Sequence, residues 1–145
     1  MAKVPFSKLQ ANIKADVIEC SYNNKNNEPI IFEVKTYLPF KEKLELASNV
    51  INQSVDDNGF YNPMRVKLFM TLEIIYTYTN LNFTDKMKED IFKLYDLVVS
   101  TNIYEQVINA IGEKEYLEIK GSIYDTIKNI YEYKNSVLGI LETVT

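Results

Sequence analysis

Residues 62–79, Asn62-Pro63-Met64-Arg65-Val66-Lys67-Leu68-Phe69-Met70-Thr71-Leu72-Glu73-Ile74-Ile75-Tyr76-Thr77-Tyr78-Thr79, decide the fold. Asn62 is a preferred helix N-cap, because its side-chain carbonyl accepts from the free N–H groups of a first turn. Pro63 suits the first helical position, where its missing N–H has no intrahelical partner. Together they predict a helix over 63–79. Its apolar residues, Met64, Val66, Leu68, Phe69, Met70, Leu72, Ile74, Ile75, Tyr76 and Tyr78, point in every direction around the axis. A helix that is apolar all round belongs at the centre of a domain, so the other elements are expected to pack around this one.

Working outward, Pro39 and the spacing of Leu44, Ala47, Val50, Ile51 and Val55 predict a helix over about 39–54, stopped by Asp56-Asp57-Asn58-Gly59. On the other side, Thr84-Asp85 offers a capping hydroxyl and a first-turn acid for a helix over 85–100, with Met87, Ile91, Leu94, Tyr95 and Val98 on one stripe. Ile103, Val107, Ile108 and Ile111 make a short fourth helix closed by Gly112, a left-handed C-terminal cap. A last helix from Glu113 towards Leu141 carries two apolar heptad columns, headed by Tyr116 and Leu117. Gly121 and Gly139 lie inside it and are read as points of close backbone approach or bending.

The N-terminal portion has a different period. Ile18, Cys20 and Tyr22 alternate with Val17 and Glu19. The polar run Asn23-Asn24-Lys25-Asn26-Asn27-Glu28-Pro29 interrupts, and Ile30, Phe32 and Val34 alternate with Ile31, Glu33 and Lys35. This is a β-hairpin pattern. Two strands alone are marginal in water, so the hairpin must dock on the body or be completed by another chain. The reading is one mainly α domain spanning 1–145: an arm over 1–13, a β-hairpin over 14–36, and a body of about five helices over 39–142.

Composition narrows the function. Only 4 Gly and 4 Pro occur in 145 residues, and no apolar run reaches the length of a bilayer-spanning helix, which excludes disordered and integral membrane classes. There is no His, the side chain that most often serves as general base or metal ligand, so every His-dependent triad is excluded. Cys20 stands alone, which removes disulfides, redox pairs and thiolate zinc cages; it reads as a small apolar strand residue in a chain made and used in a reducing cytoplasm. Net charge is −4 and Arg65 is the one arginine, so the Arg forks and clustered positive charge of sequence-specific nucleic-acid binders are missing. The charge is divided unevenly: residues 1–43 carry seven lysines against five acids, and 44–145 carry nine basic residues against fifteen acids. A mildly basic N-terminal portion, 1–43, thus precedes an acidic body, an asymmetry that favours self-association of arm against body, with a normally solvated surface as the alternative reading.

Three constellations deserve a chemical reading. Asp85, Glu89 and Asp90 could share a cation or a proton, but the interleaved Lys86, Lys88 and Lys93 make a solvated, ion-paired helix start the better account. Ser54 to Gly59 resembles the start of a calcium loop, yet Arg65 occupies the position where the bidentate acid belongs, so a capped turn is expected there. No Gly-rich phosphate cradle is present. No catalytic residue, cofactor site or metal site is therefore expected. Most tyrosines fall on core stripes. Tyr22, Tyr37 and Tyr61, near element ends, and the hairpin's apolar set Ile30, Phe32 and Val34 are the candidate intersubunit contacts.

Four stretches carry a family resemblance: Glu33-Val34-Lys35-Thr36-Tyr37-Leu38-Pro39, Asn62-Pro63-Met64-Arg65-Val66-Lys67, Tyr78-Thr79-Asn80-Leu81-Asn82-Phe83-Thr84 and Ile130-Tyr131-Glu132-Tyr133-Lys134-Asn135-Ser136-Val137-Leu138-Gly139. In this order, over about three quarters of the chain, they resemble small structural-module proteins of tailed phages and prophages of low-GC Gram-positive bacteria. The resemblance implies a role in virion structure or assembly, with no functional residues to carry over and the N-terminal arm outside it. The expected function is a non-enzymatic bacteriophage virion subunit, an accessory head, neck or tail protein. It would contact other phage structural proteins or copies of itself, in the host cytoplasm during assembly and then in the virion. A cytoplasmic tail-assembly chaperone, absent from the mature particle, and a small acidic inhibitor of a host factor are the alternatives.

Overall fold

The computed structural model describes residues 1–9 and 16–144; the expected boundary between arm and hairpin, at 13/14, lies outside the described residues. A 3₁₀ turn at Phe6–Leu9 comes first. The hairpin follows, β1 (Val17–Asn23) antiparallel to β2 (Pro29–Lys35). Then come α1 (Phe40–Ser54), α2 (Pro63–Tyr78), α3 (Asp85–Glu89), α4 (Ile91–Ser100), α5 (Ile103–Lys134) and α6 (Val137–Val144). The mainly α class with a minor hairpin is as the residue pattern requires.

The capping chemistry of residues 62–65 is realised. The Asn62 side chain accepts from the N–H groups of Met64 at 2.9 Å and Arg65 at 3.4 Å. Nine α2 residues are buried, from Val66 through Tyr78, and α2 touches α1, α4 and α5, so it is the central helix. It ends one residue before the expected Thr79. Thr79 is extended (φ −115°, ψ 160°) and forms an antiparallel bridge with Val34, which carries the chain alongside β2.

Three helix boundaries differ from the sequence reading. The helix expected over 85–100 is two, α3 and α4. Asp90 (φ −115°, ψ 82°) breaks the run, and its carboxylate caps α4 by accepting from the Lys93 N–H at 3.1 Å. Gly112 breaks α5 where expected, but by φ 83°, ψ 162°, a region open to glycine alone, and not by a left-handed cap. The helix expected to reach Leu141 stops at Lys134. There Ser136 turns the chain, its hydroxyl donating to the Tyr133 carbonyl and accepting from Gly139 N–H at 3.1 Å. Gly139 is needed at this turn: a Cβ there would collide with the Tyr133 carbonyl oxygen. Gly121, with nothing within 4 Å of a built Cβ, marks neither a bend nor a close approach.

Asparagines shape the hairpin connection. Asn24 accepts through its side chain from Asn26 and Glu28 N–H, both at 2.9 Å, and Asn27 takes the positive φ of 58°. The α1–α2 loop is built similarly on Asp56, which accepts from the N–H groups of Asn58 and Phe60, both at 2.9 Å, while Val55 bridges Tyr61. These residues form a capped turn, as expected, in place of a calcium loop.

Candidate interaction surface

The register pairs Ile18 with Val34, Cys20 with Phe32 and Tyr22 with Ile30 on one face of the hairpin. That face lies on the body. Phe32 and Val34 are 1% and 0% exposed and belong to the same core as α2. Of the six residues expected to form intersubunit contacts, these two are therefore corrected: a β-branched or aromatic side chain already surrounded by its own core has no surface left for another chain. Tyr22 and Ile30 are half-buried, with the Tyr22 ring tilted against Phe32 at 6.2 Å. Tyr61 is half-buried and engaged internally. Its N–H donates to the Tyr131 hydroxyl at 2.6 Å, and the two rings meet edge to face at 5.7 Å. Tyr37 is exposed, with the Lys43 ammonium 4.2 Å over its ring. The hairpin is thus completed by its own body, the first of the two solutions open to it.

Two amide side chains that the sequence reading passed over finish the hairpin edges. Gln106 of α5 acts as a strand substitute: its amide accepts from Ser21 N–H at 3.2 Å and donates to Ser21 C=O at 2.8 Å. On the opposite edge Asn80 does the same for Glu33, whose N–H reaches the Asn80 side chain at 2.7 Å while Asn80 N–H donates to Glu33 C=O at 3.2 Å. The Gln106 side chain thus satisfies one donor and one acceptor that a sheet edge leaves open, whereas Asn80 satisfies the Glu33 N–H with its side chain and the Glu33 C=O with its own backbone N–H.

The densest polar cluster is also internal. Glu115, on α5, accepts from the Tyr78 hydroxyl at 2.8 Å, from Leu38 N–H at 3.1 Å and from the Lys43 ammonium at 3.2 Å. Lys43 is shared with the more exposed Glu118 at 3.4 Å. One carboxylate thereby ties the β2–α1 connection, α1 and α2 to α5. Burial, and then the hydrogen bond to Glu115, push the Tyr78 hydroxyl well above the usual phenol range. Burial works against the charge on Lys43, but hydrogen bonds and attraction to Glu115 and Glu118 outweigh it and raise its pKa. Every polar atom here has its partner, which makes the cluster a fastening. Burial likewise pushes the Cys20 thiol up, away from thiolate, as suits a packing residue. Among the described residues no group of three or more His, Cys, Asp or Glu side chains could hold a metal ion. No helix among them is long and apolar enough to cross a membrane.

Among the described residues, one apolar surface not covered internally lies around α4. Seven of its ten residues are apolar (Ile91, Phe92, Leu94, Tyr95, Leu97, Val98, Val99), yet it buries only Leu94 and Val98. Phe92 is 71% exposed, Leu97 and Val99 are exposed, and Met64 at the start of α2 is 72% exposed. Grooves flank this ridge on both sides. One, of about 660 Å³, runs between α3 and α4 past Met87 and Leu97; the other, of about 320 Å³, lies between Met64, Arg65, Phe92 and Tyr95. Set against family models, curated proteins and solved structures, the chain matches none.

Proposed function

We propose that this protein is a non-enzymatic assembly subunit that works through protein–protein contacts, as an accessory head, neck or tail component of a phage particle. The observation that carries the contact reading is α4. Seven apolar residues cover more than half of its circumference, with Lys93, Asp96 and Ser100 together on the remaining strip, yet the helix sits at the surface and buries a single stripe. Contiguous exposed apolar area rimmed by polar groups, here Arg65, Lys67, Lys93 and Asp96, is characteristic of surfaces that another protein covers. The buried ionisable groups, by contrast, are engaged with one another and hold the fold. The particle context rests on the phage-protein resemblance of residues 33–141. Quantitative mass spectrometry of purified particles tests it: a fixed copy number per particle is expected, and absence from particles refutes a virion subunit. Phe92→Glu is expected to lower incorporation while leaving the urea midpoint of the free protein unchanged.

A further inference from the structure

Besides the face that packs on the body, the hairpin has an outward face and an open edge. Resting on the assembly reading, we propose that they receive the N-terminal arm, residues 1–8, of a second copy of this chain, so that two copies exchange arms.

Three observations converge. First, the edge is open at two residues of β1. Because Ser21 turns both its N–H and C=O away from β2 to meet Gln106, the residues two and four positions earlier, Glu19 and Val17, turn theirs outward as well. Among the described residues these two have no hydrogen-bond partner on that side, which leaves two donors and two acceptors for residues 1–4 of an arm, ahead of the 3₁₀ turn at Phe6–Leu9.

Second, the outward face is unfinished electrostatically. The register sets Glu19 directly opposite Glu33 on this face, in a pair whose Cβ atoms sit about 4.5–5.5 Å apart. Like charges so placed repel, and Lys35, across from Val17, is only a diagonal neighbour of Glu19. Ile31, 65% exposed, and the exposed Val17 flank the pair. The face therefore asks for an occupant that is apolar and basic.

Third, the arm has that chemistry. Residues 1–8 contain Lys3 and Lys8 and no acid, and they present Val4 and Phe6 at 64% and 81% exposure. Among the described residues of the single chain both side chains stay largely exposed, which leaves them available to the hairpin of a second copy. The other grooves suit the arm less well. The α2–α4 groove is lined by Arg65 and Lys67, which repel it, and the α3–α4 groove balances Lys86 and Lys93 against Asp90 and Asp96.

Exchange of arms is reciprocal, and that permits a charge-swap test on the full-length chain by analytical ultracentrifugation. The wild type is expected to form a dimer that weakens with salt. Lys3→Glu/Lys8→Glu places an acidic arm against an acidic face, and Glu19→Lys/Glu33→Lys a basic arm against a basic face. Each variant alone should dimerise at least about tenfold more weakly. Mixed together they match at both contacts, acidic arm on basic face and basic arm on acidic face, so the mixture should recover the wild-type association. A mixture no stronger than either variant alone overturns the proposal. So does wild-type self-association indifferent to the arm charges, which would leave the assembly reading intact and move the contact to another face such as α4. A wild type that is monomeric at all concentrations overturns arm exchange, and particle mass spectrometry then judges the assembly reading separately.

Discussion

Removing the Glu115 carboxylate is expected to be the costliest single polar truncation in the molecule. In Glu115→Ala the Tyr78 hydroxyl and the Leu38 N–H, both on fully buried residues, lose their acceptor, and the ammonium of Lys43 loses the nearer of its two carboxylates. Each orphaned buried donor costs about 1–3 kcal/mol, and a water entering the vacated space keeps both near the lower end. Lys43 retains Glu118 at 3.4 Å, which tempers the loss of the ion pair. The sum is about 3–5 kcal/mol, the range for breaking one side of a buried pair. In urea this moves the unfolding midpoint down by about 2 M.

The partner truncation separates a carboxylate-centred fastening from a simple ion pair. Lys43→Met leaves Glu115 with the Tyr78 and Leu38 donors in place and should cost about half as much. Glu115→Gln, which keeps an acceptor for one donor and drops the charge, should fall between wild type and Glu115→Ala. Circular dichroism of urea titrations gives all three. If Glu115→Ala costs less than about 1 kcal/mol, or Lys43→Met costs more than Glu115→Ala, the reasoning fails, because the four-element tie would then not depend on the carboxylate.

Other outcomes follow from the same contacts. Gly121→Ala is expected to raise stability by about 0.5–1 kcal/mol, since the site is helical and open, whereas Gly139→Ala should cost about 1–3 kcal/mol by forcing α6 off the Tyr133 carbonyl; thermal melts of the pair should move in opposite directions. Tyr131→Phe removes the hydroxyl that holds the Tyr61 backbone and should cost about 1 kcal/mol, with faster amide exchange confined to the α1–α2 loop. Tyr78 and Lys43 both have raised pKa values in the folded chain, so above about pH 10 the folded chain holds protons that the unfolded chain has lost. Their contribution is therefore complete below that pH and declines as pH rises further; a urea midpoint that stays flat from pH 9 to 11 would contradict this.

What could be read in the residues depended on how local the cause was. Asn62-Pro63 starts α2, and Asp56 turns the loop before it, through hydrogen bonds spanning two to four residues, so composition and spacing were sufficient. Asp90 was equally local, but its neighbours Glu89 and Lys88 made it look like one more member of a solvated charge run, and the stripe of Met87, Ile91, Leu94 and Val98 continued through it undisturbed. A capping carboxylate in the middle of an unbroken apolar stripe has no signature in periodicity. Gly139 reads in the sequence as a close approach or a bend inside a longer helix; the approach is real, but it is to the carbonyl six residues earlier, which a straight helix would not bring near.

The interaction surface was harder to read because burial is a property of the whole fold. Ile30, Phe32 and Val34 alternate with Ile31, Glu33 and Lys35, and alternation says that one face is covered without saying by what. The register and the body's contact with both strands show that the covering partner of Phe32 and Val34 is the chain itself. This transfers the question to the opposite side of the same strands, where the Glu19–Glu33 pair and the open edge at Val17 lie, and to α4, whose exposed apolar residues Phe92, Leu97 and Val99 lie outside the predicted stripe. Gln106 and Asn80 make the same point. Each is an ordinary amide in the sequence, 85 and 47 residues from the main-chain groups it satisfies, yet Gln106 fixes how far along β1 another strand can pair. With the edge closed at Ser21, pairing along β1 is confined to the Glu19 and Val17 side, where a short arm meets the open main-chain groups.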